Sequence, residues 1–132
     1  MKYRNPIIFG LTVFVCGVIV ANFFHLYTLV PHIDKVFHFM GGVALGWFFY
    51  VLFYQNFLYS KFIQILNIVS ATCFVAVLWE YAERLSTLYA PQYLPWLAHW
   101  IQGGDLNDTL LDVFAGMAGA LFFIIHRLFF KK

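Results

Sequence analysis

Four stretches of this sequence are long and apolar enough to cross a lipid bilayer: Pro6–Phe24, Val36–Phe57, Phe62–Ala82 and Thr109–Phe130. A spanning helix needs about 20 consecutive apolar residues. Backbone placed in hydrocarbon must also satisfy its own hydrogen bonds, which leaves helices as the natural solution for such runs. Four runs within 132 residues occupy most of the chain. The expectation is an all-α polytopic membrane protein, with one four-helix transmembrane domain over residues 1–132. Composition agrees: 63% of residues are hydrophobic and 11% charged, against about half and about a quarter in soluble domains.

The first run follows Lys2 and Arg4 and so has the outline of a signal peptide. It is long for that role, and no A-x-A site follows, so a retained helix is expected. Lys2, Arg4, Lys61, Arg127, Lys131 and Lys132 fall on one side of a four-span topology, and Lys35 and Arg84 on the other. The positive-inside rule then places both termini in the cytoplasm. The basic residues flank the spans and form no soluble patch, so no nucleic-acid partner is expected. Cys16 and Cys73 fall mid-span and read as small packing residues.

The third connection, Leu85–Asn107, is the longest. A structureless loop of that length is uncommon in a compact protein. Pro95 suits the first position of a short helix, and Gly103 or Gly104 its end. Leu97, Trp100 and Ile101 would share its apolar face, so a short helix lying in the membrane interface is expected there.

All six acidic residues, Asp34, Glu80, Glu83, Asp105, Asp108 and Asp112, lie at one end of the expected bundle. With Lys35 and Arg84 the only lysine and arginine nearby and the histidines neutral, that end carries a charge of −4. Asp34 and His38 are four apart, Glu80 and Glu83 three, Asp108 and Asp112 four. Each pair therefore shares a helix face. Small residues extend the same faces: Gly42 and Gly46 after His38, Gly116 and Ala120 after Asp112 with Gly119 adjacent, and Thr72 and Ala76 leading up to Glu80. Small residues four apart let membrane helices approach closely. The three polar pairs are thus expected to converge inside the bundle.

Simpler roles compete for the single residues. Asp34 is placed to cap the second helix, and Asp105, Asn107 or Asp108 the fourth. Glu80 and Arg84, four apart, are placed to pair. Glu83 at a helix C-terminus would face an unfavourable dipole and need Lys35, a proton or a metal as partner. Asp112, a full turn inside its span, has no such simple role. An intramembrane ionisable residue is a functional candidate by default.

The pattern Asp34-Lys35-x-x-His38-Phe39-x-x-Gly42, then Glu80-x-x-Glu83, then Gly104-Asp105-x-x-Asp108-Thr109-x-x-Asp112-x-x-x-Gly116 resembles the YjdF-type family of small bacterial inner-membrane proteins. Its opening also resembles the VanZ-like family, some members of which are associated with glycopeptide resistance at the cell envelope. That family tends to carry Gln where this chain has Glu83, and Asn near Ala115 or Gly116. The YjdF-type resemblance is therefore the stronger, and it implies no particular reaction.

Three functions fit these residues. The first is a metal-dependent enzyme acting on an envelope lipid or lipid-linked substrate. His38, Glu80, Glu83, Asp108 and Asp112 would be its catalytic and metal-holding groups, with Asp34 and Asp105 behind them. Lys35 and Arg84 would meet an anionic headgroup. Carboxylates with one histidine suit Mg²⁺, Mn²⁺, Zn²⁺ or Fe²⁺. The second is a proton- or cation-coupled transporter, which would need a path through apolar inner halves and hence a partner or an oligomer. The third is a non-catalytic envelope protein that uses the acidic cluster to bind a cation, a membrane lipid or a protein. No Walker loop, haem motif or CxxC pair is present.

Overall fold

The computed structural model describes residues 3–53, 60–95, 100, 101 and 103–130. Among them there is no strand, and four helices have the length and apolarity to span a membrane: Arg4–Phe23, Ile33–Phe53, Lys61–Tyr93 and Leu106–Phe129. Only 17% to 28% of each most apolar window is buried within the chain. Side chains such as Phe62, Phe74, Phe114 and Phe122 therefore face outward. That surface is stable only in hydrocarbon, so the protein belongs in a membrane.

The second and fourth spans form the closest pair, and glycine is the reason. A Cβ on Gly42 would overlap the Gly116 carbonyl, and one on Gly119 would overlap the Phe39 carbonyl. A Cβ on Gly46 would lie 2.9 Å from the Ala120 Cα. The third span joins this pair through Ala76, whose Cβ would be 3.7 Å from one built on Gly116. The three small-residue faces meet as expected.

The third span corrects the sequence reading. It runs 33 residues to Tyr93 instead of ending near Ala82. Hydropathy marks where a helix leaves hydrocarbon, not where it stops. Glu83, Arg84, Leu85 and Leu88 are good helix formers, and Ser86 and Ala90 are buried. At a rise of about 1.5 Å per residue the helix is about 50 Å long, more than the roughly 40–45 Å of a whole bilayer. Glu80 and Glu83 thus sit in mid-helix, away from any unfavourable terminus. The returning chain is fastened to this projecting part. Ser86 Oγ donates to the Ile101 carbonyl at 2.9 Å, and Thr87 Oγ1 accepts from the Gly103 amide at 2.8 Å. The expected interfacial helix from Pro95 to Gly103 falls largely on residues 96–99 and 102, which lie outside the described residues.

The first span packs on the second through Gly10 against Ala44 and Gly17 against the Phe37 ring. It contains a π turn, Cys16–Val20. The Ala21 amide reaches back five residues to the Cys16 carbonyl, and the Gly17 carbonyl accepts the Tyr27 hydroxyl at 2.7 Å. Loss of water around that hydroxyl, then the charges of Asp34, Glu83 and Asp112, push its pKa from 10.0 up to about 12, so it stays a donor. Tyr27 lies on a one-turn helix, Leu26–Leu29, flanked by His25 and His32, both at positive φ (53° and 59°). Histidine is among the non-glycine residues enriched in that region.

Asp105 caps the fourth span, its Oδ1 accepting from the Asp108 amide at 2.9 Å. Asp105→Ala should cost about 1 kcal/mol, readable as a lowered unfolding midpoint in detergent micelles. Asp34 is no cap: the second span starts at Ile33, which leaves Asp34 within the first turn.

Candidate functional site: a carboxylate–histidine cluster at one end of the bundle

Each span contributes by its spacing. The first two turns of the second helix carry Asp34, Lys35 and His38; mid-helix on the third lie Glu80 and Glu83; the first two turns of the fourth carry Asp108 and Asp112. The close approach at Gly42 and Gly116, one turn further in, brings His38 and Asp112 to the same depth. Asp112 is 2% exposed and Glu80 5%. Charges this deep must be paired or must neutralise.

Lys35 organises one half of the cluster. Its Nζ lies 2.5 Å from Asp108 Oδ1, 2.7 Å from Asp112 Oδ1 and 3.5 Å from Asp34 Oδ2. The Asp112 contact is an ion pair without hydrogen-bond alignment, which leaves that buried oxygen without a hydrogen-bond partner among the described residues. One ammonium thus serves three aspartates.

His38 joins the two halves. Its Nε2 is 3.5 Å from Asp34 Oδ1 and 3.8 Å from Asp112 Oδ1, on the lysine side. Its Nδ1 is 3.7 Å from Glu80 Oε1, on the other side. There the described residues supply no lysine or arginine. Glu80 Oε1 is buried and has no hydrogen-bond partner among the described residues. Glu83 Oε1 accepts from the Trp79 indole at 2.7 Å. Among the described residues, two ligand sets have their atoms within 4.8 Å of one another: Asp34, His38 and Asp112, and His38, Glu80 and Glu83.

The remaining sequence expectations fare differently. Arg84 is exposed, and among the described residues it forms no ion pair, with Glu80 or otherwise. Glu80 is buried and turned toward His38, whereas Arg84, one turn further along the helix, is exposed. Asp105 serves as a cap, and Asp108 sits between that cap and Lys35. Trp79 was not singled out from the sequence, although its four-residue spacing from Glu83 was there to be seen. The connecting role of Lys35 follows from no spacing rule, because its two nearest partners, Asp108 and Asp112, lie on another helix.

The cluster opens into a cavity of about 990 Å³. Asp34, Lys35, His38, Glu83 and Asp108 line its polar end, while apolar side chains of the first three spans, such as Leu11, Leu45 and Val75, line the remainder. The first and third spans face each other across it, and Phe14 meets Trp79 edge to face with centroids 5.7 Å apart. Thr72, wholly buried, also lines the cavity, and its hydroxyl has no partner among the described residues.

Fold and cluster together define a polytopic membrane protein with a buried carboxylate–histidine centre at one end of a four-span bundle. The chain belongs to the family of predicted membrane proteins DUF2238, whose profile matches residues 1–132. This is the YjdF family, so the resemblance holds at family level. No curated protein and no solved structure matches the chain.

Proposed function

We propose that the protein is a membrane enzyme that holds one divalent metal ion between His38 Nδ1, Glu80 and Glu83 and acts on the head of an envelope lipid. The observation that carries this reading is the unequal compensation of the cluster. Lys35 neutralises the aspartates, whereas Glu80 and Glu83 face His38 with no lysine or arginine among the described residues and with one buried oxygen unsatisfied. A cation on that side relieves both. Histidines that ligate a metal usually give their other ring N–H to a carboxylate. With Nδ1 on the metal, Nε2 faces Asp34 and Asp112 in that way. One nitrogen and two carboxylates suit Mn²⁺, Fe²⁺ or Zn²⁺ better than the all-oxygen preference of Mg²⁺.

A metal held there supplies Lewis-acid polarisation of a phosphoryl or carbonyl oxygen and a more acidic water. The chain's own residues hold the geometry. Asp34 orients the His38 ring, the Trp79 indole fixes the Glu83 carboxylate, and Lys35 keeps Asp108 and Asp112 from competing for the ion. Arg84, exposed at the same end, is placed to meet an anionic headgroup. Six of the eight basic residues lie at or beyond the opposite ends of the spans. That supports an inner-membrane orientation with both termini cytoplasmic and the cluster outward. The more distant VanZ-like likeness fits the same envelope setting.

The test is elemental analysis of protein purified without chelators. Wild type should carry about one equivalent of metal, and His38→Ala and Glu80→Gln essentially none. Trp79→Phe and Asp34→Asn should remain folded and bind metal some 10–100-fold more weakly, the usual effect of losing a group that orients a ligand. Wild type that stays metal-free after incubation with Mn²⁺, Fe²⁺ and Zn²⁺ would overturn the reading. Uptake of protons or cations into liposomes by metal-free protein would favour transport instead.

A further inference from the structure

We infer that the cavity below the cluster is the seat of one hydrocarbon chain of a membrane phospholipid, whose phosphate head lies at the polar end. Its place on the head side rests on the metal reading above; occupancy of the cavity does not.

Three observations point the same way. The first is shape. On the second span the cavity runs from Asp34 to Phe48, about 20 Å at the helical rise. One leaflet's share of the roughly 30 Å hydrocarbon core is about 15 Å, so the cavity accommodates one chain of ordinary length. The second is polarity. Charged groups line one end only, as an amphiphile requires, and ligand pockets of about this size commonly pair apolar walls with a few polar groups. Apolar voids exclude water and lose packing when left empty. At this depth in a bilayer the available solvent is hydrocarbon.

The third is Gly41. It lies beside Gly42 yet does a different job: a Cβ on Gly42 would strike the fourth span, whereas one on Gly41 meets nothing within 4 Å. Gly41 lines the cavity and gives it width. The route in lies between the first and third spans, where Phe14 and Trp79 touch. Because Trp79 also holds Glu83, a chain that parts the two rings acts directly on the charged site.

The test uses the whole protein in detergent, incubated with mixed vesicles of phosphatidylethanolamine and phosphatidylglycerol, re-purified and examined by native mass spectrometry. Wild type should retain one phospholipid. Gly41→Leu, which places a side chain in the cavity, should retain at least tenfold less with unchanged metal content. Glu80→Gln should lose metal but keep the lipid, so failure of the metal reading and failure of this one are separable. Gly41→Ala should behave as wild type and serves as the folded control. Thr72→Val, which removes an unpaired hydroxyl from the path of the chain, should retain as much lipid or more. Wild type without lipid, or Gly41→Leu with undiminished lipid, overturns the inference. Loss of lipid in Thr72→Val would also overturn it, by showing that the occupant carries a polar group at that depth.

Discussion

Replacing Lys35 with methionine is expected to destabilise the bundle by about 3–5 kcal/mol, the usual cost of stripping one partner from a buried ion pair. The shape of the side chain is nearly kept; what is lost is the one ammonium among the described residues within 4 Å of Asp34, Asp108 and Asp112. Asp112 is the sensitive member, because its side chain is 3% exposed while that of Asp108 is 42% exposed. Water can take over the pairing of Asp108 but not that of Asp112. Adding Asp112→Asn to Lys35→Met should therefore recover much of the loss, whereas adding Asp108→Asn should recover little. Unfolding midpoints of wild type, the three single variants and the two double variants in one detergent form the two double-mutant cycles. Equal stability of Lys35→Met and wild type would show that the lysine does not hold the cluster together.

Gly42→Val and Gly119→Val are expected to do at least as much harm, by a different route. Overpacking a core typically costs about 1–3 kcal/mol when neighbouring side chains can shift. Here the obstructing atoms are backbone: the Gly116 carbonyl in one case and the Phe39 carbonyl in the other. The second and fourth helices can accept the added atoms only by separating, which also pulls His38 away from Asp112. Metal content and stability should fall together in both variants. Gly41→Ala, one residue away, should be neutral or slightly stabilising, because alanine gains about 1 kcal/mol over glycine in a helix interior and the new methyl meets open space. If Gly42→Val folds as well as Gly41→Ala, the close helix pair is not what positions the site.

The helices and their meeting faces were legible because a membrane imposes simple rules. Spanning length read out as apolar runs, and Gly42, Gly46, Gly116 and Ala120 marked the contact surfaces by size alone. The convergence of Asp34, His38, Glu80, Glu83, Asp108 and Asp112 followed from those faces. The end of the third helix was illegible, since Glu83 to Thr87 signal departure from hydrocarbon and continued helix at once. The pairing of the charges was also illegible. Periodicity fixes neighbours within a helix, so it suggested Glu80 with Arg84; the structure pairs across helices, where one rotamer of Lys35 decides which carboxylates are satisfied.

The five-residue hydrogen bond from Ala21 to Cys16 fits one residue more into its turn than an ordinary helix would hold. Deleting a single residue from Gly17–Val20 would let that turn close as an ordinary one, because Cys16 and Ala21 would then stand four apart and keep their hydrogen bond. The helix on either side would keep its faces, so Phe14 would stay on Trp79 and no charged group of the cluster would change neighbours. The wide turn thus works like an expansion joint. It takes up one residue of slack in the first helix without turning either end.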